Sequence, residues 1–353
     1  MESGHLERAQ LENPAQWPEE LLAVFERSVT CAFASLTGNG RPITFPVNPY
    51  VSEDRRVLEI TTGLTYPAKA DRARRNPKVA LLFADEVGSK LENPPIALVL
   101  GQASVRTADL QANTDRYVRA SIAKLPEASE GSSPRLVESL GWYFARIWIQ
   151  VTPLEIYWWH QDHSETPHHW LAPEGTAAPP SDPAPQGRAP RAWARKPKGW
   201  RRIARHAVQQ LGLPVLTVVN DAGYPLPLPV TANALTGDGF DLTLPGTIPV
   251  TARGKACLTF QTHPEQFTSQ QNVVFVGEVS GDGTQAHLRV DRRLADWSLS
   301  GSQLHAAWAL LSKVFVLSPR LKREAARYGQ PAPKVHLPES FLQRRRERRS
   351  GKR

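Results

Sequence analysis

Residues 31–62 read CAFASLTGNGRPITFPVNPYVSEDRRVLEITT, and residues 215–246 read VLTVVNDAGYPLPLPVTANALTGDGFDLTLPG. Each is an apolar run, a Gly-bearing turn, a Pro-marked run and then a further strand-like stretch. Gly40, Pro42, Pro46 and Val47 recur 183 positions later as Gly223, Pro225, Pro229 and Val230. A repeat this long is a duplicated domain rather than a solenoid unit. Short apolar runs bounded by Gly, Pro and Asn are strand and turn chemistry, so both copies read as antiparallel β.

Working outward, the first copy predicts a helix from Pro18, strands at 30–37, 42–51 and 56–62, a short basic helix at 69–76, and strands at 79–84 and 96–107. A helix at 108–124 and a helical turn at 135–141 follow. A strand over 143–151 is interrupted by Thr152-Pro153 and resumes at 154–159, because proline removes a ladder donor. Residues 172–199 collapse into Pro, Ala, Gly and basic residues and read as an extended linker without a core. The second copy predicts a helix at 200–211 and strands near 214–220, 225–233, 239–244, 255–261, 272–280 and 285–291. An apolar helix at 303–317 precedes Pro319, which restarts a basic one to Tyr328. Five or six short strands per copy make a small antiparallel barrel the economical architecture, since closure removes exposed edges. The domains are then 1–171, a linker at 172–199, 200–329, and a basic C-terminal tail at 330–353.

A chain of 353 residues gives two domains enough material for a core each. No apolar run approaches the roughly 18 residues that span a bilayer, and the charged N-terminus lacks the apolar region of a secretory signal. A cytoplasmic protein with no membrane association is the expectation. Cys31 and Cys257, one per copy, lie inside apolar runs and read as small buried hydrophobes. The formal net charge of +9 is concentrated in the arginine-rich tail at 344–353 and at 188–205. Such runs are usually solvated and disordered, and no zinc-finger, helix-turn-helix or ribonucleoprotein signature accompanies them, so no specific nucleic-acid partner is expected.

The stretch 31–83 carries a strand, a Gly turn, Arg41-Pro42, a strand with Pro46-Val47, a strand ending in Thr61-Thr62, Lys69 on a short helix, and Asn76-Pro77-Lys78-Val79-Ala80-Leu81-Leu82. With Gly101-Gln102-Ala103 and Thr152-Pro153-Leu154-Glu155-Ile156-Tyr157-Trp158, it resembles the FMN-binding split-barrel superfamily, the pyridoxamine-phosphate-oxidase-like proteins. The likeness covers most of residues 20–160, and 201–291 more weakly. It implies a mainly β fold of two tandem split barrels of Greek-key type with flanking helices, six strands in each. It implies that a flavin phosphate is held by Thr61, Thr62, Lys69 and Arg72, a set whose hydroxyls, cations and helix N-terminal amides suit a dianion. By the same likeness, Pro46, Val47 and Asn48 run beside the isoalloxazine ring. Read on their own, Pro46 and Pro49 mark an edge strand, and residues 69–75 are a solvated helix face.

The copies diverge where that chemistry falls. Nineteen residues separate Gly63 from Phe83, but thirteen separate Gly246 from Phe260. Residues 247–253 replace the longer segment, Thr251 stands in place of Lys69, and only Arg253 and Lys255 remain basic. The phosphate anchor is therefore expected in the first copy alone, with the second barrel as its wall in an internal pseudo-dimer. The implied activity is FMN-dependent oxidoreduction, with hydride or electrons passing between flavin and a small organic substrate or nicotinamide; the catalytic residues are unassigned. The alternatives are a deazaflavin-dependent reductase and a non-enzymatic flavin- or haem-binding protein. His160, His163, His168 and His169, with Asp162 and Glu165, are candidate metal or haem ligands, although their spacing matches no zinc pattern; a polar aromatic loop is the expected reading. No nucleophile elbow, phosphate-binding loop or dinucleotide fingerprint is present.

Overall fold

The computed structural model describes residues 17–126, 133–160, 166–187, 199–246, 250–294, 297–299 and 303–350. The repeat in the sequence is a repeat of sheets. The first comprises β1 (Cys31–Leu36), β2 (Pro42–Val47), β3 (Tyr50–Val51), β4 (Leu58–Gly63), β5 (Lys78–Phe83), β6 (Ile96–Arg106), β7 (Arg146–Trp159) and β8 (His168–Leu171). The second comprises β9 (Gly212–Val219), β10 (Pro225–Pro229), β11 (Thr231–Leu235), β12 (Gly239–Thr243), β13 (Arg253–Thr262), β14 (Gln270–Asp282), β15 (Gln285–Arg293) and β16 (Trp297–Leu299). The orders are β2-β1-β5-β6-β7-β4-β3, with β8 on β7, and β10-β9-β13-β14-β15-β12-β11, with β16 on β14. Counterpart strands occupy counterpart places, all pairs are antiparallel, and the two curled sheets are two split barrels. Each sheet has eight strands rather than the expected six, because short edge strands such as β3 are too brief to announce themselves in sequence.

Register repeats as well. Leu36 faces Pro42 and Val219 faces Pro225; Ala32 faces Pro46 and Val215 faces Pro229. Both sheets bulge at a glycine: the β6–β7 register shifts between Leu100 and Gly101, and the β14–β15 register between Val276 and Gly277. A Cβ on Gly101 would lie 2.5 Å from the Thr152 carbonyl oxygen, and one on Gly277 would collide with the Arg289 carbonyl. This bulge corrects the break expected at Thr152-Pro153. β7 runs unbroken for 14 residues, since Pro153 lies opposite Gly101, where the ladder is already disturbed and a missing N–H costs little. β7 also begins at Arg146 rather than at 143, because Tyr143 and Phe144 are helical.

The helices are α1 (Glu19–Arg27), α2 (Ala68–Arg75), α3 (Leu110–Lys124), α4 (Pro134–Ser139), α5 (Gly141–Phe144), α6 (Trp200–Gln210), α7 (Gln303–Arg327) and α8 (Glu339–Ser350). None among the described residues is long and apolar enough to cross a membrane. α7 corrects the expected restart at Pro319, which lies inside one continuous helix. The lost hydrogen bond and steric push of an internal proline are offset beyond it by Leu321 and Ala325, which are buried in the first barrel's core. The C-terminal tail is likewise not free: Val335 and Phe341 are buried with Val118, Ile122 and Val137. Residues 172–187 lack regular structure, but 179–182 are strapped to the end of β6 that runs beyond its pairing with β5. Asp182 donates its N–H to the Val105 carbonyl at 2.9 Å, and the Asp182 carboxylate accepts the Ala108 N–H at 2.7 Å. The remainder of the expected linker, 188–198, lies outside the described residues.

The two barrels meet in a reciprocal interface. β2 packs on β9 and β13, while its counterpart β10 packs on β1 and β5. Lys78 Nζ donates to the Ala222 carbonyl at 2.6 Å, and Lys255 Nζ to the Asn39 carbonyl at 2.7 Å. Asn39 and Ala222 are counterparts 183 positions apart. Lys78 and Lys255 are counterparts too, each two residues before the residue, Ala80 or Cys257, that faces Ala34 on β1 or Thr217 on β9. Contact i to j matched by j to i is the signature of a two-fold interface, here inside one chain. Thr44 and Thr217 share a hydroxyl hydrogen bond of 2.6 Å at its centre.

Candidate functional site

The site is built around the turn from β4 into α2. The Tyr66 N–H donates to the Gly63 carbonyl at 2.9 Å, and the Thr62 hydroxyl donates to the Tyr66 carbonyl at 3.0 Å. These bonds fix where α2 starts. Lys69 and Arg72 lie three residues apart and so share a helix face. Arg72 Nε donates to the buried Ser35 hydroxyl on β1 at 2.9 Å, while its Nη2 is buried without an acceptor. Burial pulls the Arg72 guanidinium down to about 10. The Lys69 ammonium stands 5.4 Å from the centre of the Phe45 ring on β2. Burial, and then the charges of Arg72 and Arg146, pull it down to about 7.

Arg146 opens β7 directly opposite Gly63. Its guanidinium lies 4.4 Å from the Tyr117 ring centre and 4.8 Å from that of Tyr143. Nη2 donates to the Tyr117 hydroxyl at 3.1 Å, whereas Nε is buried and unbonded. The Tyr50 hydroxyl in the same cluster is also buried without a partner, and burial, followed by Tyr117, holds its pKa well above the usual phenol value. Lys69, Arg72 and Arg146 make no ion pair with a carboxylate among the described residues. Buried cations without counter-ions are costly, and each unmet donor costs about 1–3 kcal/mol. Such an arrangement suits an anion.

The structure brings four of the expected residues to this turn. Thr61 and Thr62 end β4, and Lys69 and Arg72 lie on the helix that follows. Thr61 stands opposite Trp148 and is partly exposed, while Thr62 spends its proton on the turn. Pro46 pairs with Ala32 on β2, at the end of the strand order. Val47 is buried in the first barrel's core, and the Asn48 side-chain amide donates to the Val29 carbonyl at 2.8 Å. Arg146, Ser35 and Phe45 were not legible as site residues. The signal for Arg146 was a charge heading an apolar alternation, which sequence alone assigns to the surface.

The second copy has no such cradle among the described residues. Val218 stands where Ser35 does. Strand pairing puts Thr243-Leu244 where Thr61-Thr62 stand, so only the first hydroxyl is kept, and no helix joins β12 to β13 in the described residues. Residues 247–249 of the shortened segment lie outside the description. The second copy instead supplies a wall: Cys257, Val274 and Val276 pack on Ile43 and Phe45. Both cysteines are free and buried, and burial pushes the Cys257 thiol up.

The histidines fall elsewhere. β8 pairs with β7 so that His168 stacks on Trp158 and His169 on Tyr157, with ring centres 5.2 and 4.3 Å apart. Neighbours on a strand point to opposite faces, so these two cannot share a ligand position. His160 precedes a segment outside the described residues, which includes Asp162, His163 and Glu165. No group of three His, Cys, Asp or Glu is placed to hold a metal among the described residues.

Comparison with protein-family models gave no match, and comparison with curated proteins gave none. Solved structures similar to this chain include general stress protein 26 of Bacillus anthracis, at 16% identity and TM-score 0.28, covering 40% of this chain and 91% of that one. An F420 reductase is similar at 19% identity and TM-score 0.30, covering 40% and 98%. A pyridoxamine 5'-phosphate oxidase-related, FMN-binding protein of Nostoc punctiforme is similar at 15% identity and TM-score 0.29, covering 42% and 85%.

Proposed function

We propose that the chain binds one FMN through its phosphate at the β4–α2 turn and serves as a flavin-dependent oxidoreductase acting on a small organic substrate or nicotinamide. The observation that carries this reading is the excess of buried donors over acceptors there: Arg72 Nη2, Arg146 Nε and the Tyr50 hydroxyl are all unpaired, beside a lysine with no carboxylate. Thr61, Lys69, Arg72 and Arg146 would hold the phosphate, and β2 with the Cys257 wall would bound the ring. When bound, the flavin supplies hydride and single-electron chemistry. The chain's own residues bind, orient and exclude water. Lys69 has a further part. With its pKa lowered to about 7, the ammonium is only partly charged at neutral pH, and a dianion beside it draws a proton onto Nζ.

Titration of the purified chain with FMN, followed by flavin fluorescence, tests the reading. Saturation is expected at one FMN per chain. Lys69→Ala should weaken binding about tenfold or more, the worth of a charge-assisted contact, while Arg253→Ala leaves it unchanged. Two equivalents bound, or equal losses in the two variants, would contradict the single-site assignment. Failure of the wild-type chain to bind FMN would sink the flavin reading.

A further inference from the structure

α7 follows the second copy in sequence, yet its C-terminal half lies on the first. Leu317 packs with Leu140 and Trp142, and Leu321 Cδ2 lies 3.8 Å from where a Cβ on Gly141 would stand. Arg320, on the same helix, holds its guanidinium 5.3 Å from the centre of the Tyr66 ring. Tyr66 belongs to the turn that launches α2. Its Cδ2 lies 3.8 Å from the Cβ position of Gly63, a position that Arg146 Nη1 approaches to 3.6 Å. Gly63 and Tyr66 thus form a floor with Arg146 to one side and Arg320 over the ring, and Lys69 follows Tyr66 by three residues.

Arg320 Nε is buried without an acceptor, as is Nε1 of Trp142, which packs in the same cluster as Tyr66. Arg320 makes no ion pair with a carboxylate among the described residues. Unmet donors of α5, β7 and α7 therefore lie around one turn, with Arg72 on the helix that follows it, and no carboxylate pairs with these cations among the described residues. Tyr66 alone does not account for Arg320: a ring face attracts a guanidinium but leaves its in-plane N–H groups without an acceptor.

We propose that Arg320 is a binding residue of the anion cradle, so that helix α7 closes the site over the phosphate of a phosphate-monoester ligand. The identity of that ligand as FMN rests on the proposed function; the clamp itself does not. A phosphate dianion offers three terminal oxygens, and Arg320 would approach it from α7, across the Tyr66 ring. Chain order gives the arrangement its sense, since a residue that follows the second copy is the one that completes a site in the first.

The test uses the full-length chain, with Arg320→Gln, Arg320→Lys and the exposed α7 control Arg323→Gln. FMN and riboflavin, which differ by the phosphate, are titrated by flavin fluorescence. Arg320→Gln should weaken FMN about 10- to 100-fold and leave riboflavin unchanged, with Arg320→Lys between and Arg323→Gln like wild type. A second arm omits flavin and measures the rise in Tm with inorganic phosphate against chloride at equal ionic strength. The wild-type chain should be stabilised, and Arg320→Gln should lose at least half of that rise. If FMN does not bind but the phosphate rise depends on Arg320, the flavin reading falls and the clamp stands. The clamp is overturned if the wild type shows no phosphate rise, if Arg320→Gln retains it in full, or if FMN and riboflavin weaken equally. Should Arg320→Gln fail to fold, Arg320→Lys carries both comparisons.

Discussion

Asp85 and His263 tie the end of the first barrel's β5 to the end of the second barrel's β13. The Asp85 carboxylate accepts from His263 Nε2 at 3.2 Å, Thr30 Oγ1 at 3.0 Å, Gln261 Nε2 at 3.1 Å and the Val87 N–H at 3.1 Å. The other ring nitrogen of His263, Nδ1, lies 3.0 Å from the Pro264 carbonyl. An acceptor at each nitrogen favours the doubly protonated imidazole. Burial pulls the His263 pKa down, but the bonds to Asp85 and Pro264 outweigh it and the net direction is up. Burial likewise pushes Asp85 up, and the His263 bond reverses it to a net fall. The histidine's contribution is complete below its unfolded pKa near 6.5 and fades as pH climbs through its raised folded value. The aspartate's is complete above its unfolded pKa near 3.9 and fades as pH falls through its depressed one. Stability from this pair therefore peaks between about pH 4 and 6.5. His263→Gln should cost about 1.5–3 kcal/mol in that window, as loss of a charged hydrogen bond does, and progressively less on the alkaline side. Urea unfolding at a series of pH values checks this, and a pH-independent difference between variant and wild type would remove the ion pair from the account.

At the scale of the element, the paired bulges are the most exacting feature of both sheets. Gly101 and Gly277 occupy counterpart positions where a neighbouring strand's carbonyl excludes any Cβ. Gly101→Ala and Gly277→Ala should each destabilise by about 1–3 kcal/mol through overpacking. Gly237→Ala should be close to neutral, because nothing lies within 4 Å of its Cβ position. Equal denaturation midpoints for Gly277→Ala and Gly237→Ala would refute this reading of the bulge. The strands themselves were legible because Gly40 and Gly223, with their Pro-marked partners, punctuate both copies at the same spacing. What escaped were elements decided by tertiary contact. Pro153 reads as a break until it is placed opposite Gly101, Pro319 reads as a helix restart until Leu321 and Ala325 are buried, and the segment before the arginine-rich run reads as tail until Val335 and Phe341 find α3 and α4. The site divides the same way. Lys69 and Arg72 lie in one local segment between the threonine pair and the next strand, whereas Arg146 and Arg320 stand 77 and 251 positions beyond Lys69, and no local pattern connects them.

The two halves meet through reciprocal contacts inside one chain, and continuity lets them differ. Two identical chains in this interface would carry two identical sites. Here the reciprocal contacts of Lys78 and Lys255 persist, while the Lys69, Arg72 and Arg146 cluster has no counterpart among the described residues of the second copy. The halves nonetheless share a core. Ala32, Ala34, Ala80, Leu82, Ile96 and Leu98 of the first copy are buried in one cluster with Leu216, Val218, Leu258 and Phe275 of the second. α7 then crosses back to bury Leu317, Leu321 and Ala325 against the first. Neither barrel can open without exposing apolar surface on the other, at about 25 cal/mol per Å². Calorimetry should therefore show one transition, with calorimetric and van't Hoff enthalpies in a ratio near one, although a chain of this length commonly unfolds domain by domain. On the proposed clamp, phosphate should raise that single transition as a whole, as a ligand of the folded chain alone does. Two resolved transitions, with phosphate raising just one, would show that the barrels fold independently and that α7 does not couple them.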